Sequence, residues 1–161
     1  MNTTLCNMVM IEDVRTGCVL VQHRLAKASN PWYGLTFPGG HVEACESVTA
    51  SAVREIREET GLVVSNLRMC GIVEWETIGE RKAGSPAEVE ANSKYIIFMF
   101  RTSSFSGELK SSSEGTMEWM TLEQMRAGTL APHMEKYIRV LLDDSVPQAY
   151  GISGSGKLDL L

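Results

Sequence analysis

No run of apolar residues in this chain approaches the about 20 needed to span a bilayer. Basic residues are also too few to form a tract or stripe. Lys and Arg number 15 against 20 Asp and Glu, leaving a net charge of −5, which argues against a nucleic-acid polymer as partner. The N-terminus, MNTTLCNMVMIED, lacks the basic segment that opens a secretory leader. Cysteine is scarce: Cys6, Cys18, Cys45 and Cys70 are widely spaced and form no CxxC pair, so core packing is the reading for each. These absences predict a cytoplasmic protein with reduced thiols and no membrane partner.

What is present is concentrated between Phe37 and Leu62, in FPGGHVEACESVTASAVREIREETGL. A proline and two glycines lead into a segment, Val48 to Thr60, that holds neither residue and is rich in helix formers. Ser47 is placed to cap its start, and Gly61 to stop it in the left-handed conformation. At helical spacing, Val48, Ala52, Val53 and Ile56 share a core-facing arc. Glu55, Glu58 and Glu59 share the neighbouring arc, with Glu55 and Glu59 one turn apart. Three carboxylates on one face repel each other. A divalent cation such as Mg²⁺, which takes oxygen ligands and binds carboxylates together with substrate phosphates, removes that cost. Glycines just upstream let the backbone approach a ligand closely. The plainer reading is a solvated acidic helix with Arg54 and Arg57 as partners.

The order of the whole stretch resembles the signature of the Nudix hydrolase family. Gly40 is followed by five residues and then Glu46; seven more lead to Arg54-Glu55-Ile56, Arg57, Glu58-Glu59, Thr60, Gly61 and Leu62. Every fixed position of the family's box is matched. The resemblance implies an α/β fold, an α/β/α sandwich with a mixed central sheet, and hydrolysis of a nucleoside diphosphate linked to another moiety with Mg²⁺ or Mn²⁺. It implies that Glu55, Glu58 and Glu59 hold the metal together with the carbonyl of Gly39. It also implies that Gly40 lies against the substrate, and that Arg54 orients the carboxylates through an ion pair with Glu46. The general base is then Glu55, or else a glutamate in a downstream loop, here Glu114 with Glu118 as the alternative.

At 161 residues the chain is long enough for one domain with a real core. We place the Nudix-like domain at 1–145 and a Gly/Ser-rich tail at 146–161, with QAYGISGSGKLDLL read as loosely ordered. Thr3 to Ile11 and Cys18 to Arg24 read as a strand pair around a turn-like EDVRTG. Ala26 to Gly34 reads as a loop whose Trp32 and Tyr33 are either a base-stacking platform or a hydrophobic plug. Arg24, just before it, is either a phosphate contact or a solvated strand end. Val63 to Thr77 suggests one or two strands, Gly79 to Asn92 a connection near the site, Ser93 to Thr102 a central strand, and Ser103 to Ser113 a flexible loop. A strand containing Glu118-Trp119 follows, then a short helix from Thr121 and an amphipathic helix over Pro132 to Asp143. His133 opens that helix, as a nucleobase contact or as a plain helix-start histidine.

The small size, the WYG-x-x-FPGGHVE run and the EGTMEW loop look most like MutT-type proteins that clear oxidised purine nucleotides, 8-oxo-dGTP above all. The proline that the ADP-ribose branch carries past the box is missing near Thr77; the next is Pro86. The tyrosine of the dinucleoside polyphosphate branch is also absent. The expected reaction is therefore NTP + H₂O → NMP + diphosphate on a small-molecule nucleotide. A nucleotide sugar or ADP-ribose hydrolase, and a non-catalytic nucleotide-binding module, are the other readings. Retention of every box glutamate favours an enzyme. Many such proteins dimerise, so the resemblance also admits a homodimer.

Overall fold

A computed structural model describes residues 1–27, 32–79, 92–110 and 115–161. Its strands are β1 (Asn2–Asp13), β2 (Cys18–Arg24), β3 (Gly34–Thr36), β4 (Gly39–His41), β5 (Val63–Ser65), β6 (Arg68–Thr77), β7 (Ser93–Thr102), β8 (Ser104–Ser106), β9 (Gly115–Met120), β10 (Gln148–Ile152) and β11 (Leu158–Leu160). The helices are α1 (Val48–Thr60), α2 (Leu122–Ala127) and α3 (Met134–Leu142). The main sheet runs β11-β10-β6-β7-β1-β2-β3, with β4 added on β1 and β9 on β2; β5 and β8 form a separate pair.

The sheet is mixed. β7, the most apolar segment, pairs parallel with β1 from Asn2↔Ser93 to Ile11↔Thr102 and antiparallel with β6. It lies inside the sheet because both of its edges are taken. β1 shows how one strand serves two cores. Successive side chains leave opposite faces, so Val9 and Ile11 join Leu20, Ala52, Ile56, Leu62 and Phe100 under α1. Met8 and Met10 join Val73, Met99, Met134, Ile138 and Leu141 under α3. Each fully buried aliphatic side chain contributes about 1.5–3 kcal/mol, so two helices on two faces of one sheet follow from the alternation. The expected α/β/α sandwich is the observed architecture.

The expected strand pair of β1 and β2 is present, antiparallel through Glu12↔Val19 and Asp13↔Cys18 next to their turn. Over Cys6–Met8, β1 pairs instead with β4. Two other expectations are corrected. The segment 103–113, read as a loop, contains β8, which pairs with β5 from Val63↔Ser106 to Ser65↔Ser104. The tail read as loosely ordered forms the sheet's edge: β10 runs parallel to β6 and β11 closes a hairpin onto β10. Its glycines build structure. Gly154 and Gly156 take φ of 84° and 69° in the hairpin turn. A Cβ on Gly151 would stand 2.6 Å from the Trp75 ring and 2.7 Å from the Lys157 carbonyl oxygen, so only glycine fits there. The connection expected over Gly79 to Asn92 lies, for residues 80–91, outside the described residues.

Candidate active site

α1 begins and ends where its sequence requires. Ser47 has extended backbone angles and its hydroxyl accepts from the Ala50 N–H at 3.0 Å. At the other end Gly61 adopts φ 77° and its N–H donates to the Arg57 carbonyl at 2.9 Å. The buried face is Ser51, Ala52, Ile56 and Thr60. Glu55 lies at its margin with a side chain 15% exposed, whereas the Glu58 side chain is 59% exposed. Glu59 is half-buried, and its Oε2 is shielded from solvent.

Arg54 is the hub of this face. Its Nη2 and Nε donate to the two Glu46 oxygens at 2.6 and 3.1 Å. Nη1 donates to Glu55 Oε1 at 2.9 Å and to Glu58 Oε2 at 3.2 Å, and Nη2 also reaches the His41 carbonyl at 3.0 Å. The bidentate contact to Glu46 is the strong geometry for an arginine–carboxylate pair. Glu46 also accepts from the Glu43 N–H at 2.7 Å. The guanidinium first, and that N–H second, hold the Glu46 carboxyl below the usual carboxylate range. The same contact to Glu46 raises the Arg54 guanidinium above its ordinary range.

The glycines approach this face from β4. A Cβ on Gly40 would collide with the Glu55 carboxylate, its Oε1 only 2.6 Å away, and one on Gly39 would strike β1 at the Asn7 carbonyl. Asn7, which sequence reasoning missed, ties the parts together. It is 3% exposed. Its Nδ2 donates to Ser51 Oγ on α1 at 2.9 Å, and its Oδ1 accepts from the Gly40 N–H at 3.4 Å. A polar residue in the middle of an apolar strand was the available signal. Nearby, burial first and the Glu55 charge second push the Cys6 thiol up to about 11, which keeps it in the thiol form.

On the opposite face of the sheet, aromatic rings gather at the start of α3. Trp32 Nε1 donates to the Pro132 carbonyl at 3.2 Å, its ring lies 6.4 Å from that of Tyr137, and the Arg24 guanidinium sits 5.6 Å over it. Trp75 Nε1 donates to the Tyr137 hydroxyl at 2.7 Å, and the Trp75 ring lies 4.9 Å from His133. Burial pushes the Tyr137 phenol up to about 12. Burial also lowers the His133 imidazole, with Lys136 adding to it, so the neutral ring is favoured. His133 stands at the helix start with φ 66° and makes no side-chain cap, a conformation that non-glycine residues rarely hold. Trp75 and Tyr137 were not foreseen as members of this group. Tyr33 is 51% exposed and joins none of the ring contacts found among the described residues. Trp32 and Gly40 are joined by one short stretch through β3, which connects the two groups.

Glu114, the loop glutamate expected near the metal, lies outside the described residues. Gly115 immediately after it pairs with Arg24. Glu118 is exposed and its Oε2 lies 2.7 Å from His23 Nε2, so it is engaged on the β2–β9 surface.

Among the described residues, no three carboxylate, histidine or cysteine side chains converge into a ready-made metal cage. The donor set is nonetheless all oxygen, on one helix face, with a glycine backbone pressed against Glu55. That fits Mg²⁺, which keeps several waters and shares its shell with substrate phosphates rather than requiring a protein-only cage. It does not fit a metal that needs a closed protein site. No helix among the described residues is long and apolar enough to cross a membrane.

Comparison with known proteins agrees with this geometry. The NUDIX domain model matches residues 4–141. An uncharacterised Nudix hydrolase of Bacillus subtilis, YvcI, is 30% identical over 122 residues, covering 73% of this chain and 71% of that protein. The oxidized purine nucleoside triphosphate hydrolase of Danio rerio is 27% identical, covering 73% of this chain and 67% of that one. The crystal structure of the MutT protein from Bacillus halodurans superposes with a TM-score of 0.69 at 25% identity, covering 96% and 94% of the two chains. A carboxylate-bearing helix, glycines against its carboxylates and a family model spanning most of the chain lead to one conclusion: this protein belongs to the Nudix family, as a MutT-like hydrolase.

Proposed function

We propose that this hydrolase is a nucleoside triphosphate diphosphohydrolase that acts on oxidised purine nucleotides, 8-oxo-dGTP in particular, in the cytoplasm. The observation that carries the reading is the carboxylate face of Glu55, Glu58 and Glu59, with Gly40 packed against Glu55. The aromatic group at α3 supports a purine substrate, since stacked rings hold a base through its π-face.

Glu55, Glu58 and Glu59, with the carbonyl of Gly39, would hold Mg²⁺ (or Mn²⁺). When bound, the metal supplies charge neutralisation and orientation of the diphosphate oxygens. The chain's own residues do the rest. Arg54 and Glu46 position the carboxylates. Gly40 keeps the wall of the site free of side chain, so that phosphate oxygens can approach the backbone. Glu55 accepts the proton of the attacking water, with Glu114 as the alternative base; the water oxygen bonds to one phosphorus of the α–β bridge as its bridging P–O bond breaks, giving the monophosphate and diphosphate. Trp32 and His133 hold the base, and Arg24 meets a phosphate. Tyr33 contributes at the rim.

Product analysis with 8-oxo-dGTP and dGTP side by side, with Mg²⁺, tests this for the wild type and for Glu58→Gln. Diphosphate released mainly from the oxidised nucleotide by the wild type alone is the expected result. Equal turnover of the two nucleotides sinks the specificity. Cleavage of neither transfers the reading to nucleotide sugars or ADP-ribose. Full activity of Glu58→Gln sinks the metal assignment.

A further inference from the structure

Beyond the residues of β1 that pair with β4, toward the end of that strand, a cavity of about 230 Å³ opens between β1, β6 and β7. Glu12, Asn66, Arg68, Arg101 and Ser103 are among its lining residues, and none of the α1 carboxylates is. Arg68 and Arg101 are register partners on adjacent antiparallel strands. Like charges placed directly opposite one another destabilise a ladder. Arg68 is neutralised, its Nη2 lying 2.7 Å from Asp144 Oδ1. Arg101 is not. Its side chain is half-buried, yet among the described residues its guanidinium makes no hydrogen bond or ion pair. Its N–H donors have no protein acceptor among the described residues and stay open to the solvent of the cavity. Glu12 shares the cavity but makes no ion pair with Arg101 among the described residues.

We propose that this cavity binds a protonated tetrahedral oxyanion, inorganic phosphate being the simplest, with Arg101 as its principal cation. A guanidinium matches two oxygens of such an anion at once. Ser103 adds a hydroxyl donor. Glu12 gives the site its selectivity. Phosphate near neutral pH carries an O–H that can donate to the Glu12 carboxylate, whereas sulfate carries none and meets only repulsion. The site is separate from the nucleotide site and does not depend on its substrate.

Isothermal titration of the full chain with inorganic phosphate, diphosphate and sulfate in metal-free buffer tests this. Phosphate is expected to bind the wild type and to lose at least about tenfold in affinity in Arg101→Gln, a bidentate charged contact being worth more than about 1.4 kcal/mol. Arg101→Lys retains charge and is expected to fall between the two. Glu12→Gln is expected to admit sulfate. Arg101→Gln should keep the wild-type rate of nucleotide hydrolysis in phosphate-free buffer. Phosphate binding that survives in Arg101→Gln, or that is abolished by Glu58→Gln, overturns the site. Absence of binding to the wild type overturns it as well. Equal affinity for sulfate and phosphate overturns the role of Glu12, and tighter binding of diphosphate overturns the single-oxyanion assignment.

Discussion

Arg54 grips Glu46 with two parallel hydrogen bonds, Nη2 to Oε1 at 2.6 Å and Nε to Oε2 at 3.1 Å, while its remaining nitrogen reaches Glu55 and Glu58. One guanidinium thus fixes the loop before α1 and two carboxylates on it. Partners of this kind around a metal site typically contribute about 10–100-fold to metal affinity or activity. Glu46→Gln is expected to lower kcat/KM within that range, and steady-state kinetics across a Mg²⁺ titration checks it. Arg54→Lys should not rescue function, because an ammonium cannot reproduce the two-pronged contact. Glu58→Gln should cost more than either.

Gly40 offers a test that separates stability from activity. A Cβ there would displace the Glu55 carboxylate, which is the far end of a flexible side chain. Gly40→Ala should therefore fold with little change in Tm, yet lose about 100-fold in kcat/KM, as a misplacement of about 1 Å can cause. Thermal melting and kinetics on the same preparation check this; retained activity would show that Glu55 need not lie where it does.

Asn7 links α1 and β4 from inside the sheet. Asn7→Ala removes the donor to the Ser51 oxygen and leaves the Gly40 N–H without its acceptor, at about 1–3 kcal/mol. A denaturant titration should show a lower midpoint with unchanged slope, and activity should drop because the glycine backbone is no longer tied to the helix.

The C-terminal hairpin is expected to contribute to the core. Leu158 is fully buried within the α3-side cluster. Leu158→Ala should cost about 2–5 kcal/mol, read by chemical denaturation. A change within about 0.5 kcal/mol, the size of an ordinary surface substitution, would mean that the hairpin is not docked.

His133 gives a pH dependence with a definite sign. Burial holds its imidazole below the ordinary value of 6.5, so between the folded and unfolded values the unfolded chain binds more protons. The stability associated with the neutral ring is complete above about pH 6.5 and is lost as pH falls through the lower folded value. Tm of the wild type should decline over that window more steeply than Tm of His133→Gln. Identical slopes would remove His133 as the source.

Much of the site was legible from local chemistry. Ser47, the unbroken helix formers and Gly61 bound a helix by rules that act within a turn or two, and the helical period places Glu55, Glu58 and Glu59 on one arc wherever that helix docks. The ion pair of Arg54 with Glu46 followed only from resemblance, yet both residues lie within the same short stretch. The strong apolar character of Ser93 to Thr102 also indicated a central strand, because only a segment bordered by neighbours can bury residues on both faces.

Tertiary structure alone decided the rest. That β1 pairs with β7 and β4 rather than mainly with β2 depends on partners far away in sequence, which a turn signal cannot reveal. The glycines of the tail looked like freedom in composition, but Gly151 is required by the Trp75 ring that lies over it, a contact set by the pairing of β10 with β6. Trp75 of β6 meets Tyr137 of α3 and His133 at the start of that helix only because β6 and α3 pack on one face. Asn7, Ser51 and Gly40 converge because α1 and β4 both pack against β1. Local chemistry determined which groups this chain can offer; long-range strand pairing determined which of them stand together, because hydrogen bonding and burial across the sheet are satisfied jointly.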